Sequence, residues 1–366
     1  MYEQNNQEQE NSTQEETKEY TNSLKKDEIK ENKENKRFII FSILIIVSIV
    51  IGIVSIFTKP KNTISSAIIK GTTTNINSIQ NKEGIAIIDL VGVISHVARK
   101  NSLGIEEKSV TEKLIDDFEY YMKDDNVKAI VLQVDSPGGA LTSCEEALKY
   151  LQDLKKKYPK PIVASFRSMA ASGGYYIAMI ADKIYANEST LTGSIGVISQ
   201  FVNVSNLMDK YGIKMYTIKS GRNKDSLSPF REPREDELAY WQDMTYEFVA
   251  QFTNVVETAR GDKIKGNREE LFDGRVFSGK RALEVGLIDN IGTLQDAIKD
   301  AAEMGNITDE EPYIIQKPEN KNFINLILSS MPFIYKPQAL IPYEELINTK
   351  YIGVPMYIYL PNYTGE

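Results

Sequence analysis

The sequence predicts an α/β domain preceded by one transmembrane helix, and two patterns along the chain support this fold class. From Gly84 onward, runs of Val and Ile typical of buried strands alternate with amphipathic helical patterns. Upstream, residues 38–58 form a stretch of 21 residues without a charge. At about 1.5 Å per residue, a helix of that length crosses a hydrocarbon layer of about 30 Å.

The N-terminal part of the chain is expected to anchor the protein in a membrane. Residues 1–37 are rich in Glu, Gln, Asn and Lys, a composition that predicts a disordered tail. The apolar stretch 38–58 is longer than the core of about 7 to 15 residues of a cleavable signal peptide, which favours a permanent anchor. Seven Lys and Arg lie in the 20 residues before it and three in the 20 after it, which predicts a cytoplasmic N-terminus. We therefore expect a single-pass protein of the cell membrane, with everything after the span outside the cytoplasm.

Past a polar linker over 59–82, the pattern predicts a folded domain over 83–305. The predicted elements, in chain order, are a strand pair "IAIIDLVGVIS", a helix "VTEKLIDDFEYYMKDD", a strand "VKAIVLQVDS", a helix "ALTSCEEALKYLQDLKKK", a strand "PIVASFR", a helix after Ser172, a strand "KIYANE", a short helix at 207–211, a strand "KMYTIKS", a long helix at 234–259 and a helix "TLQDAIKDAAEM". The remaining segment 306–366 contains the apolar stretch "FINLILSSMPFIY", which is too short to cross a bilayer, and several prolines. It is expected to lie at a subunit interface, on the membrane surface or against the domain.

Composition excludes several classes of function. The net charge of −8, with no basic run, disfavours nucleic-acid binding, which needs a basic face to neutralise phosphates. A single cysteine cannot form an intramolecular disulfide, and no metal-ligand spacing is present. We therefore expect no metal and no cofactor.

Three glycine-bearing loops follow predicted strands and are candidates for a catalytic site: "DSPGGAL", "MAASGGYY" and "TGSIGV". In α/β sheets, active sites collect outside the carboxyl ends of strands. Ser172 would begin a helix, where unpaired N–H groups favour developing negative charge. Gly139 and Gly173 lack a Cβ, so their N–H groups can approach a substrate carbonyl and form an oxyanion hole. The alternative is that these glycines only make tight turns.

A nucleophilic serine needs a base, and the residues alone leave its identity open. His96 is the only histidine in the chain, and a lone histidine at a strand end is more often a surface residue. Lys219 and Lys224 lie in "IKSGRNKDSLSPFREP", but a lysine can act as a base only where desolvation keeps its amine uncharged. Cys144 falls on a helical core stripe, which makes a cysteine peptidase the weaker alternative.

Four motifs in order, "DSPGG", "ASGGYYIA", "TGSIGV" and "SGRNKDSLSP", resemble the membrane-anchored signal peptide peptidase A family, whose fold is related to Clp protease and crotonase. The resemblance covers roughly 84–305. It implies that Ser172 is the nucleophile and Lys224 the general base, with Gly139 and Gly173 as the oxyanion donors. Ser194 then corresponds to a hydroxyl that orients the lysine amine.

The resemblance also implies a function and partners. It predicts a serine endopeptidase that cleaves membrane-associated peptides, notably released signal peptides, in a homo-oligomeric ring whose neighbouring subunit supplies the lysine. A crotonase-like acyl-CoA enzyme and a non-catalytic peptide-binding scaffold are the alternatives. We further expect the apolar C-terminal segment to occupy or guard the substrate channel.

Overall fold

A computed structural model of the chain describes residues 82–100, 106–318 and 355–358. The predicted tail 1–37, the predicted span 38–58 and nearly all of the predicted linker 59–82 lie outside these ranges. Among the described residues, no helix combines the length and the apolar character that crossing a bilayer requires.

The described chain alternates strands and helices as the apolar patterns predict. In order, its elements are β1 (Gly84–Val91), β2 (Arg99–Lys100), β3 (Glu106–Glu107), α1 (Val110–Lys123), β4 (Val127–Ser136), β5 (Gly138–Ala140), α2 (Leu141–Lys157), β6 (Ile162–Ala171), α3 (Gly173–Ala178), β7 (Lys183–Ala186) and β8 (Leu191–Gly193). They continue with α4 (Ser205–Lys210), α5 (Glu235–Arg260), a short 3-10 helix (Gly261–Lys263), α6 (Arg268–Leu271), β9 (Val276–Ser278), α7 (Gly279–Glu284), β10 (Asn290–Ile291), α8 (Leu294–Met304), β11 (Ile314–Ile315) and β12 (Met356–Ile358).

The main sheet runs in the order β10-β7-β6-β4-β1-β11, and all of these neighbours pair in parallel. β8 extends it by pairing in parallel with the end of β6, and β9 pairs antiparallel with β8. The central strand β4 is buried along nearly its whole length, as its continuous Val and Ile content requires of a strand covered on both faces. The predicted α/β fold is therefore confirmed for the described residues.

Side chains of β1 alternate between two apolar layers, because successive residues of a strand point to opposite faces. Ile88 and Leu90 belong to the layer formed with α1, α2, α3 and α5. Ile85 belongs to the opposite layer, where α8 packs Ala297 and Ala301 onto β4 and β6. The sheet is thus covered on both sides, and the carboxyl ends of β4 and β6 are fixed between the two layers.

Two of the predicted strands are wrong in detail. The first "strand pair" is the single strand β1 followed by an isolated bridge at Ile94. The segment "KMYTIKS" forms no strand, and in it Tyr216 and Ile218 are almost entirely exposed. Its composition is typical of a strand, but a strand also needs a neighbouring strand to satisfy its backbone N–H and C=O groups. This segment pairs with none of the described strands.

Candidate active site

Ser172 lies at the sharp turn between the end of β6 and the start of α3. Its backbone has φ 52° and ψ −117°, a conformation that is strained for a residue with a Cβ. Such strain costs about 1–3 kcal/mol and persists where the surrounding structure enforces it, most often at functional sites. The Ser172 N–H donates to Gly193 O at 2.8 Å, and this bond fixes the turn to the end of β8. The same strand-turn-helix setting presents the nucleophile of many serine hydrolases.

The Ser172 hydroxyl is buried and unpaired. The residue is 1% exposed, and its Oγ has no hydrogen-bond partner among the described residues. Leaving a buried hydroxyl without a partner costs about 1–3 kcal/mol, so native structures rarely keep one without a functional reason. Within the described part of a single chain, therefore, neither His96 nor Lys224 is bonded to Ser172.

The backbone of Gly139 is positioned by the main chain of Ile94. Ile94 N donates to Gly138 O and Ala140 N donates to Ile94 O, each at 2.9 Å. Because successive residues of a strand direct their amides to opposite sides, the N–H and C=O of Gly139 point away from Ile94. A Cβ on Gly139 would lie 1.9 Å from Ile94 O, so only glycine fits. The Gly139 N–H therefore faces the edge of β5 along which β12 pairs, with Tyr357 opposite Gly139.

Gly173, the other predicted oxyanion donor, lies at the start of α3. It is the buried first residue of α3, where a helix cannot satisfy its own N–H groups. The β5 loop packs closely on this turn, since a Cβ on Gly174 would lie 2.9 Å from Ser136 O. The two predicted oxyanion glycines therefore lie on adjoining elements.

Two side chains that sequence reasoning passed over hold the "DSPGG" loop in place. Ser136 Oγ donates to Gly92 O at 2.7 Å and accepts from Gly138 N at 3.1 Å. Asp135 Oδ1 accepts from Met169 N at 3.2 Å, and burial raises the pKa of this carboxyl. Their position at the end of a predicted strand, directly before the glycines, is the signal that could have identified them as scaffold residues.

The "TGSIGV" loop adjoins the Ser172 turn. Ser194 directly follows Gly193, the residue whose carbonyl accepts from Ser172 N–H. Ser194 is buried, has φ 50°, and donates its N–H to Arg275 O at 2.8 Å. The structure therefore brings Ser172, Gly173 and Ser194 into one region.

Lys224 lies elsewhere, in an exposed loop over 221–228 that consists of successive tight turns. The adjacent Asp225 has both carboxylate oxygens occupied. Hydrogen bonds from Arg231 and then Lys219 lower the pKa of Asp225. Within the described residues of one chain, the structure does not bring Lys224 to Ser172.

A segment of the C-terminal region lies along the Gly139 strand. β12 pairs antiparallel with β5, and Tyr357 stands opposite Gly139. On the other edge of β12, Met356 and Ile198 exchange two backbone hydrogen bonds of 3.1 Å. The side chains of Met356 and Ile358 are buried in a cluster with Val93. The site thus contains a groove that accepts an extended peptide by β-strand addition.

The other residues considered as nucleophile or base lie outside this region. His96 forms an exposed pair with Glu146, with 2.8 Å between Nε2 and Oε2. Cys144 is fully buried on α2, and burial raises the pKa of its thiol. A thiol kept protonated in a core is not a nucleophile. The prediction that Cys144 is a core residue is confirmed.

A buried, unpaired serine at a strand-helix turn, beside a glycine strand that pairs with an extended segment, is the arrangement of a serine hydrolase acting on peptides. Comparison with known proteins gives the same class. The sequence profile of peptidase family S49 matches residues 154–308, which contain Ser172, Ser194 and Lys224.

Individual relatives match over longer stretches than the family profile does. The chain is 37% identical over 226 residues to a protein of Enterococcus faecium that carries the name signal peptide peptidase SppA, covering 62% of this chain and 64% of that relative. It is 37% identical over 229 residues to a Synechocystis sp. protein named as a protease, covering 62% of this chain and 76% of that protein. It is 34% identical over 228 residues to the chloroplastic serine protease SPPA of Arabidopsis thaliana, covering 62% of this chain and 33% of that protein. The aligned part is less than two thirds of the Enterococcus relative.

The chain therefore belongs to peptidase family S49, a family of serine peptidases.

Proposed function

We propose that this protein is a membrane-anchored endopeptidase in which Ser172 and Lys224 form a catalytic dyad. The observation that carries the proposal is the strained, buried Ser172 with an unpaired hydroxyl, close to a glycine strand that already holds an extended peptide segment. The family membership supports peptide-bond hydrolysis.

The chemistry follows from the groups on the site. Ser172 Oγ attacks the scissile carbonyl and transfers its proton to Lys224, while the N–H groups of Gly139 and Gly173 stabilise the oxyanion. Lys224 then returns the proton to the leaving amine, and water hydrolyses the acyl-enzyme. Ser194 orients the amine of Lys224, because a four-carbon side chain must be held within hydrogen-bond reach of the serine.

Lys224 reaches Ser172 from a neighbouring subunit in this proposal. Its exposed position in one chain supports a contact made only in a homo-oligomeric ring. The region around it exposes many large apolar side chains, which typically mark an interface. These are Val202, Leu207, Tyr211, Ile213, Met215, Tyr216, Ile218, Phe230, Leu238, Tyr240 and Tyr246.

The substrates are membrane-associated peptides such as released signal peptides. The name of the Enterococcus relative supports this class, and so does the apolar lining of the groove by Val93 and Ile198. Anchoring through the predicted span 38–58 would place the site next to such peptides and raise their effective concentration. Protease protection of the full chain in sealed membranes tests the anchor, with the domain after residue 58 expected outside the cytoplasm.

A serine-reactive acylating probe tests the dyad on the full-length protein in membranes or detergent. We expect labelling of Ser172, and loss of labelling in both Ser172→Ala and Lys224→Ala. Labelling at another residue, or equal labelling of the two variants and the native chain, would rule out the dyad. An acyl-CoA enzyme or a silent scaffold would give no Ser172 adduct.

Mixed assemblies test whether the dyad forms between subunits. Ser172→Ala and Lys224→Ala chains are unfolded, mixed and refolded, or co-expressed with different tags. The mixed ring should regain peptidase activity, because some sites then combine a native Ser172 with a native Lys224. A co-purified mixed assembly that stays inactive would contradict a shared site.

A further inference from the structure

The loop that carries Lys224 is held down on both sides of that residue. Arg222 pairs with Asp236 at 3.2 Å, and Asn223 Oδ1 accepts from Arg234 at 2.5 Å. Beyond Lys224, Ser226 Oγ accepts from Trp241 Nε1 at 3.3 Å. Lys224 itself has no ion pair among the described residues. The loop is thus bonded to the start of α5, and Lys224 is exposed on it without an ion-pair partner in the described part of the chain.

Arg231 makes the densest set of contacts beneath this loop. Its guanidinium donates to both carboxylate oxygens of Asp225 at 3.0 Å and to the Asp225 carbonyl at 2.9 Å. It also donates to both oxygens of Glu237, at 2.5 and 3.0 Å. Glu237 lies in the first turn of α5 and is 2% exposed. Arg231 therefore links Asp225, the residue after Lys224, to the buried Glu237 of α5.

We propose that Arg231 is a positioning residue for Lys224: by holding the Asp225 carboxylate, it keeps that carboxylate from pairing with the Lys224 amine. The proposal rests on the role of Lys224 as general base. Nothing in the family match or in the names of the relatives assigns a role to Arg231.

The physical reason lies in the position of Asp225. A carboxylate next in sequence to a lysine is a natural ion-pair partner for it, and a paired ammonium keeps its proton and cannot accept one from serine. In the structure that carboxylate is occupied by Arg231 and by Lys219 Nζ at 2.6 Å. The charged groups that face the loop are Lys219, Arg222, Asp225, Arg231, Arg234, Asp236 and Glu237.

Removing Arg231 need not unfold α5, because Glu237 has other partners. Arg234 Nη1 lies 2.6 Å from Glu237 Oε1, and Arg234 N donates to Glu237 Oε2 at 3.1 Å. The buried carboxylate thus keeps a cation and a backbone donor. A loss of activity in an Arg231 variant can therefore be separated from a loss of fold.

The experiment compares Arg231→Gln, Asp225→Asn and the double variant in the full-length protein. Arg231→Gln should lower kcat by roughly tenfold to a hundredfold, a part of the factor that a general base contributes, with KM within about threefold. Asp225→Asn should keep a kcat close to that of the native chain. The double variant should regain most of the kcat lost by Arg231→Gln, because it has no Asp225 carboxylate to pair with the Lys224 amine. Arg231→Lys, which keeps a cation for Asp225, should fall between. Arg281→Gln, which removes an exposed pair with Glu284, is the matched control and should behave as the native chain.

Recovery in the double variant is the readout that a merely structural role would not give. A double variant as weak as Arg231→Gln, or weaker, would overturn the proposal, as would a native kcat in Arg231→Gln. Thermal unfolding shows whether each variant is folded. If Arg231→Gln is unfolded, the kcat of Arg231→Lys relative to that of the native chain tests the positioning role instead. If Lys224→Ala stays fully active the general-base proposal itself fails. If Lys224→Ala is inactive and the Arg231 series shows no recovery, only the positioning role fails.

Discussion

The turn that carries Ser172 and the loop that carries Lys224 are built in opposite ways. Ser172 is buried, strained in its backbone and fixed by main-chain hydrogen bonds between strands of the central sheet. Lys224 is exposed, on a loop fastened by side-chain ion pairs to the start of α5. One half of the proposed dyad is thus part of the core, and the other half is presented on the surface.

Under the proposed dyad, this difference would make activity depend on assembly. Ser172 is held by hydrogen bonds within its own chain, so its position does not depend on a neighbouring subunit. Lys224, on a surface loop, would act as the proposed base only where a neighbouring subunit brings a Ser172 to it. The predictions below test the contrast, from the largest expected effect to the smallest.

Removing either residue of the proposed dyad should abolish peptidase activity, but the two changes should differ in their effect on stability. We expect Ser172→Gly and Lys224→Ala each to lower kcat by at least about 10³-fold. Ser172→Gly should also raise the free energy of unfolding by about 1 kcal/mol, since glycine releases the strain at φ 52° but adds backbone entropy to the unfolded chain.

Lys224→Ala should leave the free energy of unfolding within about 0.5 kcal/mol of native, as expected for an exposed side chain. Peptide hydrolysis and urea unfolding of the two variants provide the measurements. An equal loss of stability in both would show that the two regions are not built differently.

Glycine substitutions should separate the packed site from the open loop. Gly139→Ala places a Cβ 1.9 Å from Ile94 O, so we expect a stability loss of about 1–3 kcal/mol and a drop in kcat of about a hundredfold from the displaced oxyanion donor. Gly221→Ala, in the Lys224 loop, meets nothing within 4 Å and should change little. Gly139→Ala with native kcat would contradict the oxyanion role.

The C-terminal segment should slow the enzyme, because β12 occupies the groove beside Gly139. Truncation after Pro318 should raise the rate of acylation by a small probe roughly tenfold if the groove is free in about a tenth of the native molecules. Met356→Asp, which introduces a charge into the cluster with Val93, should act in the same direction. Truncation after Leu360, which keeps β12, is the control. An unchanged acylation rate after removal of the segment would show that it does not guard the site.

As the pH falls, the region that carries Lys224 should lose stability before the central sheet does. Hydrogen bonds from Arg231 lower the pKa of Glu237 from 4.5 to about 2 in the folded chain. Because the pKa of Glu237 is lower in the folded chain than in the unfolded chain, its carboxylate stabilises the fold at pH values above about 4.5. This contribution is lost as the pH falls from about 4.5 towards 2. Glu237→Gln should remove this part of the acid dependence in urea unfolding between pH 6 and pH 3. The same slope in the variant and the native protein would assign the acid sensitivity elsewhere.

Much of the fold follows from local pattern. The continuous apolar runs of β4 and β6 predict buried parallel strands, and the helical spacing of "TLQDAIKDAAEM" predicts α8. The segment "KMYTIKS" was predicted wrongly because its composition resembles a strand, while strand formation depends on a neighbour that local sequence does not specify. The position of Asp135 and Ser136 at a strand end could have marked them as scaffold residues, but their partners Met169 and Gly92 lie far away in the chain and only the structure identifies them.

The sequence by itself determined the α/β alternation, the glycine loops at strand ends and the candidate nucleophile Ser172 in one of these loops. It did so because burial and turn chemistry act over a few neighbouring residues. Only the tertiary structure decided that Ser172 is strained and unpaired, that Arg231 holds Asp225, and that residues 356–358 lie along Gly139. These features join residues far apart in the chain, and their geometry exists only once the sheet has formed.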